Sequence, residues 1–172
     1  EKSLLQLIGE RALMGTSINR ISIPDSVTKI SDCAFMNCTS LEEVIISEKS
    51  KLQSIGKNAF FGTKIRSLDI PPQLSVVESG WCSNTPNLNI IKLSEQNTNF
   101  RLINNRILLK KPDNGSKIYD IVTFSTRDIK NASIPKRVRI IEESAFSQCK
   151  ELKSVTFSPN SKLAMISRDS FS

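Results

Sequence analysis

Residues 30–47 read ISDCAFMNCTSLEEVIIS, and two phrases inside them recur along the whole chain. The first is an aliphatic, three variable residues, a small residue, then an aromatic or aliphatic. It stands as ISDCAF at Ile30–Phe35, IGKNAF at Ile55–Phe60, IEESAF at Ile141–Phe146 and ISRDSF at Ile166–Phe171. IGERAL at Ile8–Leu13 and VESGWC at Val77–Cys82 are weaker copies. The leading aliphatics fall at 8, 30, 55, 77, 141 and 166, so the steps are 22, 25, 22, 64 and 25 residues. A fixed period of this size is the mark of a repeat architecture, and the step of 64 is one repeat plus an insertion.

The second phrase follows the first: SINRISIP (Ser17–Pro24), SLEEVIIS (Ser40–Ser47), KIRSLDIP (Lys64–Pro71), NLNIIKLS (Asn87–Ser94) and ELKSVTFS (Glu151–Ser158). Its last half alternates with period two in β-branched and aliphatic residues, which predicts a short strand with one buried face. The inward residues are then Ile21 and Ile23, Val44 and Ile46, Leu68 and Ile70, Ile91 and Leu93, Val155 and Phe157. One such unit cannot bury both of its apolar edges, whereas stacked units hide each other's. The expected fold is an α/β repeat solenoid. Parallel strands spaced about 4.8 Å line one face, and the I-x-x-x-A-F phrases form short helical turns on the other. Ala12, Ala34, Ala59 and Ala145 supply the small residue where turns meet, and Phe35, Phe60, Phe146 and Phe171 fill the space between coils.

These phrases, ISDCAFMNCTSLEEVIIS and IEESAFSQCKELKSVTF above all, resemble the BspA-like leucine-rich repeats of bacterial and protist surface proteins. The resemblance covers nearly the whole chain and implies a leucine-rich-repeat solenoid with its strands on the concave side. It also implies cell-surface or secreted location and adhesion to host proteins such as fibronectin or fibrinogen. The departure is GWCSNTPNL, where Trp81 and Cys82 replace Ala-Phe.

Residues 1–172 therefore read as one domain with a basic β-hairpin insertion over 100–140. Between 101 and 140 there are ten basic residues (Arg101, Arg106, Lys110, Lys111, Lys117, Arg127, Lys130, Lys136, Arg137, Arg139) and three acids (Asp113, Asp120, Asp128). Their difference, +7, equals the net charge of the whole chain. Pro112-Asp113-Asn114-Gly115 carries turn residues between two apolar runs, FRLINNRILLKK and SKIYDIVTF. Asn97–Phe100, Leu108 and Gly115 echo an N-x-N-F insert that members of the resembled family carry. Two readings stand for the segment: a patch that attracts acidic protein surfaces, sulfated glycans or anionic membrane, or a solvated hairpin whose lysines guard a sheet edge. Nucleic acid is not expected as a partner, since the basic residues lack interleaved aromatics beyond Phe100, Tyr119 and Phe124 and no nucleic-acid-binding module is present.

The residues singled out for binding are Arg106, Lys110, Lys111 and Lys117 in the insertion, with Ile45, Asp69, Ile90 and Lys92 on the outward row of the strands. No residue is singled out for catalysis, a cofactor or a metal. His is absent, which removes Ser-His-Asp and Cys-His sites. The four Cys lack C-x-x-C spacing. Cys38 and Cys149 share one repeat slot but lie about 14 Å apart at about 4.8 Å per coil, beyond the roughly 7 Å a disulfide spans, so four free and mostly buried thiols are expected. The sequons at Asn37, Asn114 and Asn131 are as frequent as composition alone supplies, and Asn37 is expected to be the least accessible. No apolar run reaches the roughly 20 residues of a membrane span, and EKSLLQLIGERALMG does not read as a signal peptide. Both ends fall inside a repeat, so the chain is expected to be a fragment, or to have its ends covered by a partner or a second copy. The expected function is a non-enzymatic, extracellular protein-binding domain. The alternative is a structural or scaffolding repeat module without a host ligand, for which low cysteine use without disulfides leaves an intracellular location open.

Overall fold

The computed structural model describes residues 3–113 and 115–172. Asn114, and with it one sequon and the centre of the expected turn, lies outside the described residues. Fifteen strands follow in chain order: β1 (Leu7–Ile8), β2 (Arg20–Ser22), β3 (Lys29–Ile30), β4 (Glu43–Ile45), β5 (Ser54–Ile55), β6 (Ser67–Ile70), β7 (Val76–Val77), β8 (Ile90–Leu93), β9 (Phe100–Ile103), β10 (Ile107–Lys110), β11 (Ile121–Ser125), β12 (Asn131–Ile134), β13 (Ile140–Ile141), β14 (Ser154–Phe157) and β15 (Met165–Ile166). They form a parallel β-solenoid of leucine-rich-repeat type.

One column of strands is made by the leading aliphatics. β1, β3, β5 and β7 stack in parallel, with Ile8 opposite Ile30, Ile30 opposite Ile55 and Ile55 opposite Val77. Beyond the insertion, Val122 of β11 stands opposite Ile141 and Ile141 opposite Ile166. The second phrase makes the other face, in parallel pairs β2–β4, β6–β8 and β12–β14. Alternation holds there: Val44, Ile46, Leu68, Ile70 and Ile91 are buried, while Arg20, Ser22, Glu43, Ile90 and Lys92 face solvent. Phe157, on the last coil of the described residues, is 45% exposed.

The I-x-x-x-A-F phrases are not helical turns, and no helix occurs among the described residues. Two residues per coil break the helix. The fourth residue of every phrase has positive φ: Arg11, Cys33, Asn58, Gly80, Ser144 and Asp169. So does the residue four further on: Gly15, Asn37, Gly62, Asn84 and Gln148. A left-handed residue every four positions cannot propagate an α-helix. The hydrogen bonds show what replaces it. Alternate N–H groups close local turns: Ala12 to Gly9 O (3.2 Å), Met14 to Arg11 O (3.1 Å) and Thr16 to Leu13 O (3.2 Å). Those between them reach the next coil: Arg11 to Asp32 O (3.1 Å), Leu13 to Ala34 O (2.9 Å) and Gly15 to Met36 O (2.8 Å). The wall is thus a stack of turns laddered from coil to coil. The approach is close. A Cβ on Gly56 would lie 2.6 Å from the Asp32 backbone nitrogen, so this coil contact tolerates no side chain.

Phenylalanines run up the inside of this wall. Phe35 and Phe60 are fully buried and stack with ring centroids 5.2 Å apart and planes 1° from parallel. Phe146 and Phe171 repeat the arrangement at 4.8 Å, with Phe171 still 40% exposed. One coil is reversed: Trp81 takes the small position and Cys82 the Phe position, and Trp81 meets Phe124 from the insertion at 5.8 Å. Small polar residues cap the wall turns behind them. Thr63 Oγ1 donates to Phe60 O at 2.9 Å and Thr85 Oγ1 to Cys82 O at 2.7 Å, the slot that Cys38 and Cys149 also fill.

Candidate functional site

The insertion is where this protein departs from a plain stack of coils. Its tight hairpin is not at Pro112–Gly115. β9 and β10 pair antiparallel through Asn104 and Asn105, at φ +50° and +55°, with Arg106 N bonded to Ile103 O at 2.9 Å. Two consecutive left-handed residues make the centre of a turn of primed type over Ile103–Arg106, and with Ile103 opposite Ile107 the loop is three residues long. Residues 111–120 then form the longer connection to β11, which pairs antiparallel with β10 and parallel with β13. Asp113 Oδ1 accepts from the N–H of Gly115 and of Ser116, both at 2.8 Å, which tightens the start of this connection.

The hairpin is not a solvated flap. Ile107, Leu108 and Leu109 of β10 and all five residues of β11 are buried. The core is divided by it. Leu108, Phe100 and Phe124 join the cluster that runs from Ile8 to Ile91. Ile107, Leu109 and Val122 join a second cluster with Ile129, Ile134, Val138, Ile141 and Phe146. Successive side chains of a strand point to opposite faces, so β10 serves both cores as a layer between them.

Asn97 pins the entry to this layer. Its Nδ2 donates to Pro71 O (2.7 Å) and Leu74 O (2.9 Å) in the preceding coil. Its Oδ1 accepts from the N–H of Asn99 (2.8 Å) and Phe100 (3.2 Å). Both donors and both lone-pair directions of the buried amide are used. That explains an N-x-N-F phrase at this place.

Arg127 holds the wall side of the junction. It is 3% exposed and lies under Phe124, its guanidinium carbon 4.4 Å from the ring centroid. Nη2 donates to Cys82 O at 2.8 Å and Nη1 to Ala145 O at 3.4 Å, one carbonyl on each side of the insertion. Burial pulls its guanidinium down from the usual range, with the nearby thiols opposing. Burial likewise pushes the Cys82 thiol well up, against the pull of the Arg127 charge. Both carbonyls have another donor, Thr85 Oγ1 and Ser125 N respectively. Arg127→Met is therefore expected to change stability by less than about 1 kcal/mol, because a buried charge is traded for apolar volume. Arg127→Ala is expected to cost about 2 kcal/mol by leaving a cavity. Urea denaturation of both variants checks this, and equal losses would show that the hydrogen bonds rather than the packing matter.

The basic residues of the insertion are not equivalent. Arg106 pairs with Asp128, and its Nη1 also lies 3.4 Å from Thr126 Oγ1. Burial alone would raise the Asp128 carboxyl, but the bonds from Arg106 and Thr126 hold it below the usual range. Lys110 Nζ lies 2.8 Å from Glu142 and donates to Val77 O at 3.2 Å, so it ties β10 to both flanking coils. Lys111 and Lys117 make no ion pair among the described residues; Lys111 is half-buried and Lys117 exposed. Of the strand-face residues, Ile90 and Lys92 are exposed and Ile45 and Asp69 half-buried. Lys92 stands opposite Asp69, with Nζ 3.8 Å from Oδ1. The face is laced by other such rungs: Arg20–Glu43 at 3.2 Å and Arg66–Glu42 at 2.7 Å.

The four cysteines are free; Cys38 and Cys82 are buried, Cys33 and Cys149 half-buried. Asn37 is exposed on the outside of a wall turn, contrary to its expected inaccessibility, because its left-handed backbone turns the side chain outward. Asn131 is exposed as well. Among the described residues, no three His, Cys, Asp or Glu side chains gather as metal ligands, and no helix is long and apolar enough to cross a membrane.

The family described as "BspA type Leucine rich repeat region" matches residues 6–121 and 116–172, in six copies. The fold is shared with a leucine-rich cell surface protein of Faecalibacterium prausnitzii: TM-score 0.76 and 24% identity over 91% of this chain and 46% of that one. It is also shared with the pneumococcal vaccine antigen PcpA, at TM-score 0.82 and 21% identity over 92% of this chain and 38% of that one. A leucine-rich repeat protein of Eubacterium ventriosum gives TM-score 0.74 and 20% identity over 96% and 48%. This chain spans less than half the length of each of these three. No curated protein sequence matches it.

Proposed function

The chain belongs to the BspA-type leucine-rich repeat family, and from that premise we propose that it is a non-enzymatic protein-binding domain of a secreted or surface-displayed adhesin. Its ligand is a host extracellular protein, and the contact surface is the outward row of the strand face. The observation that carries this is the row itself. Ser22 and Ile45 stand in register on one pair of strands, and Ser67–Ile90 and Asp69–Lys92 on the next. Parallel coils thus present side chains at fixed intervals on a face whose charges are largely matched by their neighbours. Such a face offers shape and a few apolar points, Ile90 foremost at 51% exposure, without strong charge of either sign. Stacked repeats use this kind of extended surface for binding.

The test is surface-immobilised fibronectin and fibrinogen, probed with the wild type and with the double variant Ile45→Glu, Ile90→Glu. The variant is expected to bind at least tenfold more weakly, a loss of about 1.4 kcal/mol or more, with an unchanged melting curve. A wild type that binds neither protein would favour the alternative, a repeat module that serves as structure without a host ligand.

A further inference from the structure

The net charge of the insertion is concentrated at one place. Arg106, Lys110, Lys130 and Arg139 each face a carboxylate, of Asp128, Glu142, Glu151 and Asp120 respectively, and Arg127 is buried. The basic residues of the segment that have no ion-pair partner among the described residues are Arg101, Lys111, Lys117, Lys136 and Arg137.

Three of these converge on Tyr119. The Arg101 guanidinium carbon lies 5.0 Å from the ring centroid and the Lys111 Nζ 5.3 Å. The Arg137 Nε donates to the Tyr119 carbonyl at 3.2 Å. The ring is itself fixed, its hydroxyl donating to Thr98 O at 2.8 Å. Lys117 is exposed two positions earlier on the same connection. Two of the carboxylates nearby are engaged elsewhere: Asp113 caps its own turn and Asp120 is buried toward Arg139. Glu95 is exposed and lines the groove between β8 and β9 together with Arg101 and Tyr119.

We propose that the Tyr119 cluster is a binding site for a sulfated polysaccharide, held through its sulfate groups by Arg101, Lys111 and Arg137, with Lys117 at the rim. The cations are positioned by a ring and a carbonyl rather than by carboxylates. An arriving anion therefore has no ion pair to break, and guanidinium groups suit its multiple oxygens. The cations come from three separate segments, at 101, 111–117 and 137, so they match a chain that carries anionic groups along its length. A folded acidic protein would need apolar area at the centre of its contact. Among the described residues, exposed apolar area here is limited to Ile118, at 56% exposure, and Val76, which lines a groove with Lys111 at one edge. This surface adjoins the strand face, since Lys92 lines the same groove as Arg101 and Tyr119, but its cations are not members of the strand-face row and are tested separately from it.

The probe is heparin, measured by calorimetry at 50 and 300 mM NaCl. Three phosphate-like contacts predict a roughly 40-fold affinity loss between those salts, on the slope that holds for a single-stranded polyanion. The variant Arg101→Gln, Lys111→Gln, Arg137→Gln is expected to bind at least tenfold more weakly at 50 mM and to lose most of its salt dependence. A control of equal charge change, Lys29→Gln, Lys57→Gln, Lys64→Gln, is expected to stay within twofold, as all three are exposed and none lines the grooves that hold Arg101, Lys111 and Tyr119. Desulfated heparin is expected not to bind. Equal losses in both variants would reduce the effect to net charge and overturn the site. So would absence of heparin binding by the wild type, or tighter binding of poly-glutamate or of single-stranded DNA than of heparin. Melting curves of both variants verify that the fold is intact.

Discussion

Phe60→Ala is expected to lower the unfolding free energy by about 3–5 kcal/mol, the usual cost of emptying a buried aromatic site. Phe60 has no exposed surface, and its ring lies flat on Phe35 at 5.2 Å. The loss includes the stacking contribution as well as the area. Little relief is available. The wall turns at this level are hydrogen-bonded to both neighbours, Phe35 N to Ala59 O at 2.8 Å and Phe60 N to Trp81 O at 2.9 Å, so the backbone cannot close over the void. The matched control is Phe171→Ala in the same slot of the last coil. Its ring is 40% exposed, and the expected cost is about 1 kcal/mol. Urea titration followed by circular dichroism gives both numbers. Trp81 is the only tryptophan and is buried, so its fluorescence reports the neighbouring coil independently. A Phe60→Ala cost as small as that of Phe171→Ala would mean that the coils do not stack as described.

Asn97→Ala is expected to cost about 3 kcal/mol, since buried donors left unpaired cost about 1–3 kcal/mol each. The substitution strands the N–H groups of Asn99 and Phe100, for which Asn97 Oδ1 is the acceptor. It also loosens the tie to the preceding coil, because Pro71 O and Leu74 O lose the Asn97 Nδ2 contacts and keep only Leu74 N and Asn99 Nδ2 as donors. Asn97→Asp keeps the acceptor and loses the donors, so it should recover part of the stability at neutral pH. Hydrogen exchange should show the loss first in β9 and β10. A uniform loss over all coils would contradict the local role given to this amide.

The coils themselves were legible in the sequence, because a buried position every 22 to 25 residues leaves a repeated apolar phrase. The wall was misread as helical for a definite reason. An aliphatic and a small residue four apart, followed by an aromatic, suit a helix face as well as a stacked turn. The contrary signal was present in Gly15, Asn37, Asn58, Gly62, Gly80 and Asn84, residue types that accept the left-handed region. Arg11, Cys33, Ser144 and Gln148 sit in the same slots and blur it, since there the cross-coil hydrogen bonds override local preference. In the insertion, PDNG drew attention from the Asn104-Asn105 pair, which makes the tight hairpin. The unbroken apolar run Ile107-Leu108-Leu109 was the sign of a strand buried on both faces. The charge excess pointed to the right segment, but composition could not sort its members. Arg106 and Lys110 are occupied by Asp128 and Glu142, Arg127 is interior, and the exposed excess gathers at Tyr119 through contacts between residues far apart in the chain. Nothing in the local sequence of Arg127 distinguishes it from a solvated arginine.

The strand shared by both cores has a consequence for how this protein can change length. An ordinary coil is modular: one can be gained or dropped anywhere in the stack, because each new surface matches the old. β10 is not modular. It shows Leu108 to one side and Ile107 and Leu109 to the other, so the two surfaces it meets are unlike each other. Whole coils can be added before residue 95 or after residue 130 without altering the chemistry of the junction. Duplicating the junction with no ordinary coil between the copies would set two unlike surfaces together, so this segment cannot be multiplied in direct succession as a coil can.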